Sequence, residues 1–418
     1  MVRLLRPVSD PLGSYLRVGG KDHTFLAQML VDGKALGGGL VADPARLDEH
    51  KDLWLEARQQ GVQTVLDPRS LELSTPGGIR RGGARSLAWA PSTPNGLHTP
   101  DSLYGRAGED LCDQLVDMVV TAGHTAVLAP THFLASARDA WLDVDADLTC
   151  ALRGALDRVG LQAVPIYYPL ITKSENFNDP NWRTAVARLL RPLPIDAIWL
   201  RIHPFGTATA GPLALKRYLA ACRDLHKLER PLVGEHTGAV GVALMAFGAL
   251  GGVESGITVN DHTNLTDWLK VPTKTGGGGG EARIYLHQLG TFLDRSKAIA
   301  LLNRPGMKAA HACLDTACCP RGWRDTQLRY REHFVTQRDR EVNALSAIPE
   351  PLRAGNYLEN FLRPASDKAV RAAEVEPALL STRKRLDSWR GTLGNDLTTT
   401  PVHSFSPPAA GKRHRKSA

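Results

Sequence analysis

Reactive side chains follow a series of short apolar runs in this chain. Asp67-Pro68-Arg69 follows Thr64–Leu66, Pro130-Thr131-His132 follows Ala126–Ala129, and Tyr167-Tyr168-Pro169 closes Val164–Tyr168. Arg201-Ile202-His203-Pro204 closes Ala197–Ile202, Gly234-Glu235-His236-Thr237-Gly238 follows Leu232–Val233, and Glu254-Ser255-Gly256 follows Gly252–Val253. If each run is a strand and the strands are parallel, all these tips meet on one face. Asp67, Glu235, Glu254 and His236 are then the residue types for acid/base or nucleophilic work. Arg69, Arg201, His132, His203 and Tyr168 are the types that hold a polar or anionic substrate. Strand alternation puts Arg201 and His203 on the same side. A metal-assisted variant would use His132, His203 and His236 as ligands, although no His-x-His pair follows the first strand. Taken singly, a histidine after a strand more often bonds backbone, and Asp67 could simply cap the next helix. Together, so many charged groups in one bowl are costly unless they pair with each other or with a ligand.

A second cluster lies further on. Cys313, Cys318 and Cys319 sit close together, and His333 follows. Three thiolates and an imidazole would satisfy a tetrahedral, structural zinc. Free thiols buried in a helical module are the alternative, since adjacent cysteines are awkward ligands.

These groups need a scaffold. The apolar runs are Phe25–Val31, those named above, and Ile284–Leu286, with helix-length stretches between most of them. Ala151, Leu152, Ala155, Leu156 and Val159 keep to one helical face, as do Leu215, Tyr218, Leu219, Cys222 and Leu225. The runs are apolar on both sides, as strands of a buried parallel sheet should be. The expected fold is α/β: a (β/α)8 TIM-type barrel over residues 1–295 with an inserted loop at 74–104. A helical, cysteine-containing module covers 296–396, and 397–418 form a disordered basic tail. A doubly wound open sheet is the competing architecture. Lys270–Glu281 includes Gly276–Gly280 but lacks the lysine and Ser/Thr of a P-loop, so it reads as a mobile lid or linker.

The composition, 43% hydrophobic and 22% charged, is that of a globular protein with a large core. The net charge of +8 and pI near 9.2 fit a polyanionic partner. The run Val240–Val253 is shorter than the ~20 residues needed to span a bilayer, so no membrane partner is expected. The N-terminus carries no secretory pattern, and a cytoplasmic location with reduced thiols follows as the expectation.

A barrel followed by a cysteine cluster and a histidine-bearing helix resembles the tRNA-guanine transglycosylase superfamily, which has relatives acting on DNA. The resemblance covers roughly residues 60–345 in order and layout. It implies base exchange on a guanine or 7-deazaguanine in nucleic acid, with a structural zinc. Asp67, in Val-Leu-Asp-Pro-Arg-Ser, would match the early acid/base aspartate, and the segment from Pro231 through Gly256 is similar in layout to the sixth and seventh strands. The chain departs from that pattern in two places. The family's zinc motif is C-x-C-x2-C, against C-x4-C-C here. Its late nucleophile falls near Gly256, so Glu254 or Asp261 would have to substitute. The alternatives are a barrel hydrolase or lyase, with or without a metal, acting on a small anionic metabolite, and a non-catalytic barrel that serves as a binding module.

Overall fold

The computed structural model describes residues 12–34, 36–93, 96–258, 261–271 and 281–399. Eight parallel strands close into a barrel: β1 (Gly13–Arg17), β2 (Gly39–Ala42), β3 (Thr64–Leu66), β4 (Ala126–Leu128), β5 (Ile166–Lys173), β6 (Ala197–His203), β7 (Leu232–Glu235) and β8 (Gly252–Gly256). β1 pairs with β8 on one side and β2 on the other, and β4 pairs directly with β5, which completes the ring. An open doubly wound sheet is thereby excluded.

Two of the expected strands have other roles. Phe25–Val31 belongs to a helix, His23–Val31, whose buried positions Leu26, Met29 and Leu30 follow the helical i, i+3, i+4 spacing. Ile284–Leu286 is a strand, but it forms an antiparallel hairpin with Thr291–Asp294 outside the barrel. The two places in the ring are taken instead by β1 and β2, which carry few of the long apolar side chains that mark a buried strand.

Alternation inside the barrel decides where the chemistry sits. Val41, Val65, Ala126, Leu128, Tyr167, Ala197, Trp199 and Val233 form the interior apolar layer, with Tyr15 packed against it. Tyr15 and Trp199 have ring centroids 5.0 Å apart. Two residues further along their strands, on the same side, Tyr15 gives way to Arg17, Val65 to Asp67, Trp199 to Arg201 and Val233 to Glu235. A charged layer therefore rests directly on an aromatic and aliphatic floor, at the C-terminal ends of the strands.

The opposite faces of the strands pack on helices such as Arg106–Ala122, Trp141–Arg158 and Pro212–Leu225, within the main apolar core. The local signals are the usual ones: the Asp179 side chain caps the helix Pro180–Leu190, with Pro180 at its first position. The inserted segment after β3 holds short 3-10 turns at Ala84–Ser86 and Pro100–Leu103. It is fixed over the barrel end by Trp89 Nε1, which donates to the Pro68 carbonyl at 2.9 Å.

After the hairpin the chain is helical, ending in Leu380–Thr399. That helix is tied to the barrel: Trp389 Nε1 donates to the Ala210 carbonyl, and Arg223 pairs with Asp396 at 2.6 Å. Residues 397–399, assigned to the tail on sequence, thus belong to the final helix, while 400–418 lie outside the described residues, as do 272–280 with the glycine run. No helix among the described residues is long and apolar enough to cross a membrane.

Candidate active site

Arg17 stands at the centre of the charged layer. Its Nη1 pairs with Asp67, its Nη2 lies 2.7 Å from Glu235 Oε1, and its Nε lies 2.9 Å from Glu254 Oε1. Arg201 pairs with the same Glu235 oxygen and lies 3.8 Å from Asp67. Glu235 and Glu254 are direct neighbours in the register of β7 and β8, which forces their carboxylates together. Both are fully buried, whereas the Arg17 side chain keeps 20% exposure. Sequence reasoning missed Arg17 because it missed β1. The signal was there in Tyr15-Leu16-Arg17, an aromatic and a charge on the same strand face.

The surrounding residues complete the layer. His236 Nδ1 lies 3.0 Å from Glu254 Oε2. His236 and Arg69 both have left-handed backbone conformations (φ 54° and 58°), His236 directly after Glu235 and Arg69 two residues after Asp67. Such backbones are more costly for an arginine than for glycine, asparagine or histidine and persist only where neighbours enforce them. Here the enforcing contact is the Arg69 N–H, which donates to Asp67 Oδ1 at 2.8 Å. The Arg69 side chain leads away from the bowl, to Asp43 at 3.2 Å and the Gly82 carbonyl at 2.7 Å. It is a strut between loops. Glu72, on the short helix after β3 and also missed, lies 3.5 Å from Arg69 Nε, with its Oε2 buried and without a hydrogen-bond partner.

Electrostatics separate the carboxyls. Burial alone would raise Asp67, but Arg17 and Arg201 outweigh it and hold the group below the ordinary range. Glu254 is also desolvated, yet His236 and Arg17 bring it down to about 2. Glu72 moves the other way, raised by burial and by the nearby Asp67 charge.

Other expected site residues fall elsewhere. Tyr168 points out of the barrel into the helix-facing core, because Tyr167 takes the inward position. His132 is fully buried beside the helix Trp141–Arg158, where its Nδ1 lies 2.6 Å from Asp145 and its ring stacks on Trp141 at 3.6 Å. His203 Nδ1 accepts the Leu265 N–H at 3.0 Å. His132, His203 and His236 therefore serve different partners and do not converge on an ion.

The contact from His203 fixes a cap over the bowl. Leu265 packs on Leu71 and Ile171, Gly77 N–H donates to the Trp268 carbonyl, and Arg81 lies over the Trp268 ring. Burial depresses the His203 pKa, which keeps Nδ1 free to accept at neutral pH. His203→Ala should loosen this cap, and limited proteolysis should cleave within 262–271 faster than in the wild type. Equal cleavage rates would remove His203 from this role.

Buried neutral histidines make a separate, pH-dependent contribution. His98 is held at about 4 by burial and by His132, and His124 at about 4 by burial and by Arg58. Between roughly pH 6.5 and 4 the unfolded chain takes up protons that the folded chain refuses, so stability falls as pH is lowered through that window. Urea midpoints should drop between pH 7 and pH 5, and His124→Gln should flatten the drop.

In the helical module, Cys313, Cys318, Cys319 and His333 have ligating atoms all within 4.8 Å of one another. Asp261, by contrast, is turned away from the charged layer toward His262 (3.3 Å) and Arg283 (3.7 Å).

No protein-family model matches the chain, and no curated protein matches its sequence. Solved structures similar to it include the Penicillium canescens endo-1,4-beta-xylanase XylE, at 14% identity over 60% of this chain and 83% of that one, TM-score 0.39. Xylanase 10B from Thermotoga petrophila follows at 8% identity, 58% and 81% coverage and TM-score 0.37. An enolase protein from Sargasso Sea environmental sequence has 15% identity, 60% and 56% coverage and TM-score 0.31. These likenesses are too distant to carry a function, and the barrel assignment rests on the strand pairing above.

The resemblance to tRNA-guanine transglycosylases does not hold. No family model matches the chain, and no transglycosylase stands among the similar structures named above. The aspartate nearest the late-nucleophile position, Asp261, faces away from the bowl, and Glu254 is sealed beneath Arg17. The expectation of a nucleic-acid partner, which leaned on that resemblance, loses its support with it.

Proposed function

We propose that the charged layer is the active centre of a barrel hydrolase or lyase acting on a small polar molecule. The observation that carries this reading is geometric: Asp67 is ion-paired with Arg17 and faces Arg201, which favour its ionised form, while the neighbouring Glu72 is buried with its Oε2 unpartnered, so burial and the Asp67 charge push it toward its protonated form. Neighbouring carboxyls driven apart in this way are the arrangement that supplies a base and an acid at one pH. Asp67 takes the base role and Glu72 the acid role. The pair Glu254–His236 offers a second place to hold a proton. Arg17 is the most exposed charge of the layer, and it is where a bound substrate would first compete for the carboxylates.

Charge narrows the substrate. Asp67, Glu235 and Glu254 hold both guanidiniums of the layer, Arg17 and Arg201, and the His236 imidazole lies against Glu254, so every cationic group there already has a carboxylate partner. An anionic metabolite would find no uncommitted cation there, so an uncharged or cationic molecule rich in hydrogen-bond donors fits better. A turnover screen over small hydrolase and lyase substrates, with Asp67→Asn and Glu72→Gln as controls, tests the assignment.

A second reading has its own support. Oxygens of Glu235 and Glu254 and a ring nitrogen of His236 lie within 4.8 Å of one another, and Glu235 Oε2 makes no hydrogen bond. A divalent cation there would make the chemistry metal-dependent. Activity lost on chelation and regained with Mg2+ or Mn2+ would select this reading over the metal-free one.

For the cysteine cluster we propose a structural zinc. The Cys318 and Cys319 sulfurs are 3.7 Å apart, and each is 3.5 Å from His333 Nδ1. Tetrahedral zinc with ordinary bond lengths needs about 3.8 Å between sulfurs and about 3.6 Å from sulfur to nitrogen. The remaining ring nitrogen, His333 Nε2, lies 3.0 Å from the Tyr285 carbonyl, the outer contact that fixes a ligating imidazole. Such a zinc would brace the helices against the hairpin and take no part in turnover.

A further inference from the structure

A third group of ligating side chains lies on the rim of the barrel, away from both sites above. His23 opens the helix after β1, and Glu49 and His50 precede the helix after β2. Their ligating atoms fall within 4.8 Å of one another. The imidazoles of His23 and His50 are stacked, with ring centroids 4.5 Å apart and planes at 23°. His50 is fully buried, with the Gly20 backbone facing one of its ring nitrogens and no partner for the other, and His23 Nδ1 is also buried without one. His50 Nε2 lies 4.0 Å from Glu49 Oε2.

Buried ring nitrogens without partners are rare, because each gives up its water and gains nothing in return. Simple packing against Trp54 accounts for the burial of His50 but not for the grouping of unpartnered nitrogens beside a carboxylate. We propose that His23, Glu49 and His50 form a binding site for a divalent transition-metal ion, with two imidazoles and one carboxylate as ligands and water completing the coordination. Imidazole and carboxylate donors without thiolate favour zinc, cobalt, nickel or copper over magnesium or calcium.

The site also has a route to the charged layer. Glu49 pairs with Arg46 at 2.7 Å, Arg46 lies 3.8 Å from Asp43, Asp43 pairs with Arg69 at 3.2 Å, and the Arg69 N–H holds Asp67. An ion that draws Glu49 away from Arg46 acts at the far end of this chain of ion pairs. The metal site itself does not depend on what Asp67 does.

Titration of the full chain with Co2+ tests it. One equivalent should bind without the thiolate charge-transfer absorption in the near ultraviolet that a cysteine site would give. Its affinity should fall at least ten-fold in His23→Gln and in Glu49→Gln. Glu49 is exposed, so its replacement leaves the core untouched and guards against a result caused by misfolding. Absence of a thiolate-free equivalent, or one whose affinity is the same in the wild type, His23→Gln and Glu49→Gln, overturns the proposal.

Discussion

Arg17→Leu should destabilise the barrel by about 3–5 kcal/mol, the usual cost of stripping the partner from buried charges. Asp67, Glu235 and Glu254 all share this guanidinium, and Arg201 reaches only Glu235 closely. The effect should depend on pH in a defined direction. In the wild type, Asp67 and Glu254 are depressed below their unfolded values, so their contribution is present above roughly pH 4 and is lost as pH falls toward the folded values. Without Arg17, Asp67 keeps only Arg201 and Glu254 keeps His236 and Arg201 against burial, so the folded values move up and the variant gains relative stability as the pH is lowered. Urea unfolding at pH 7.5 and pH 5 should therefore show a smaller gap from wild type at the lower pH. Arg17→Lys should fall between the two, since one ammonium cannot present the three-way fork that a guanidinium does. A gap that does not change with pH would mean that the carboxylates are not held by Arg17.

Removing the proposed zinc should have the other large effect. Structural zinc sites contribute on the order of 10 kcal/mol or more to the folding of small units. Here the barrel core remains, so the loss should be confined to the helices around Cys313–His333 and the hairpin Arg283–Asp294. Strong chelation, or Cys318→Ser, should expose this region to hydrogen exchange while β1–β8 stay protected. Elemental analysis should find zinc in the wild type and a reduced content in the variant. Unchanged exchange after chelation would leave the cluster as buried thiols.

The sequence made some of this legible and hid the rest for identifiable reasons. β3, β6, β7 and β8 stand out because each is an apolar run stopped by a charged residue, whereas the run at β4 is followed by Pro130 and β5 runs past the end expected at Tyr168 to Lys173. β1 and β2 were hidden: Gly13-Ser14-Tyr15-Leu16-Arg17 mixes small and polar residues, and Gly39–Ala42 is short and preceded by glycines. Phe25–Val31 was mistaken for a strand because a run of apolar side chains conceals its period. The buried Leu26, Met29 and Leu30 mark a helix, but that reading needs knowledge of burial. The cost was Arg17, the residue on which the charged layer turns. Tyr168 and His132 were misplaced by a single step of alternation and by a helix contact to Asp145 that no local pattern announces. The cysteine cluster needed no register: its members are close in sequence, and one helical segment brings in His333.

The acid–base role of the charged layer is the central claim. Its most direct test is turnover of a panel of small uncharged and cationic substrates by the wild type, Asp67→Asn and Glu72→Gln, with folding checked by thermal denaturation. The prediction is a wild-type activity that falls at least about a hundred-fold in each folded variant, the scale of a lost general acid or base. Turnover that survives both substitutions, or a wild type that turns over nothing while binding its ligands elsewhere, would contradict it.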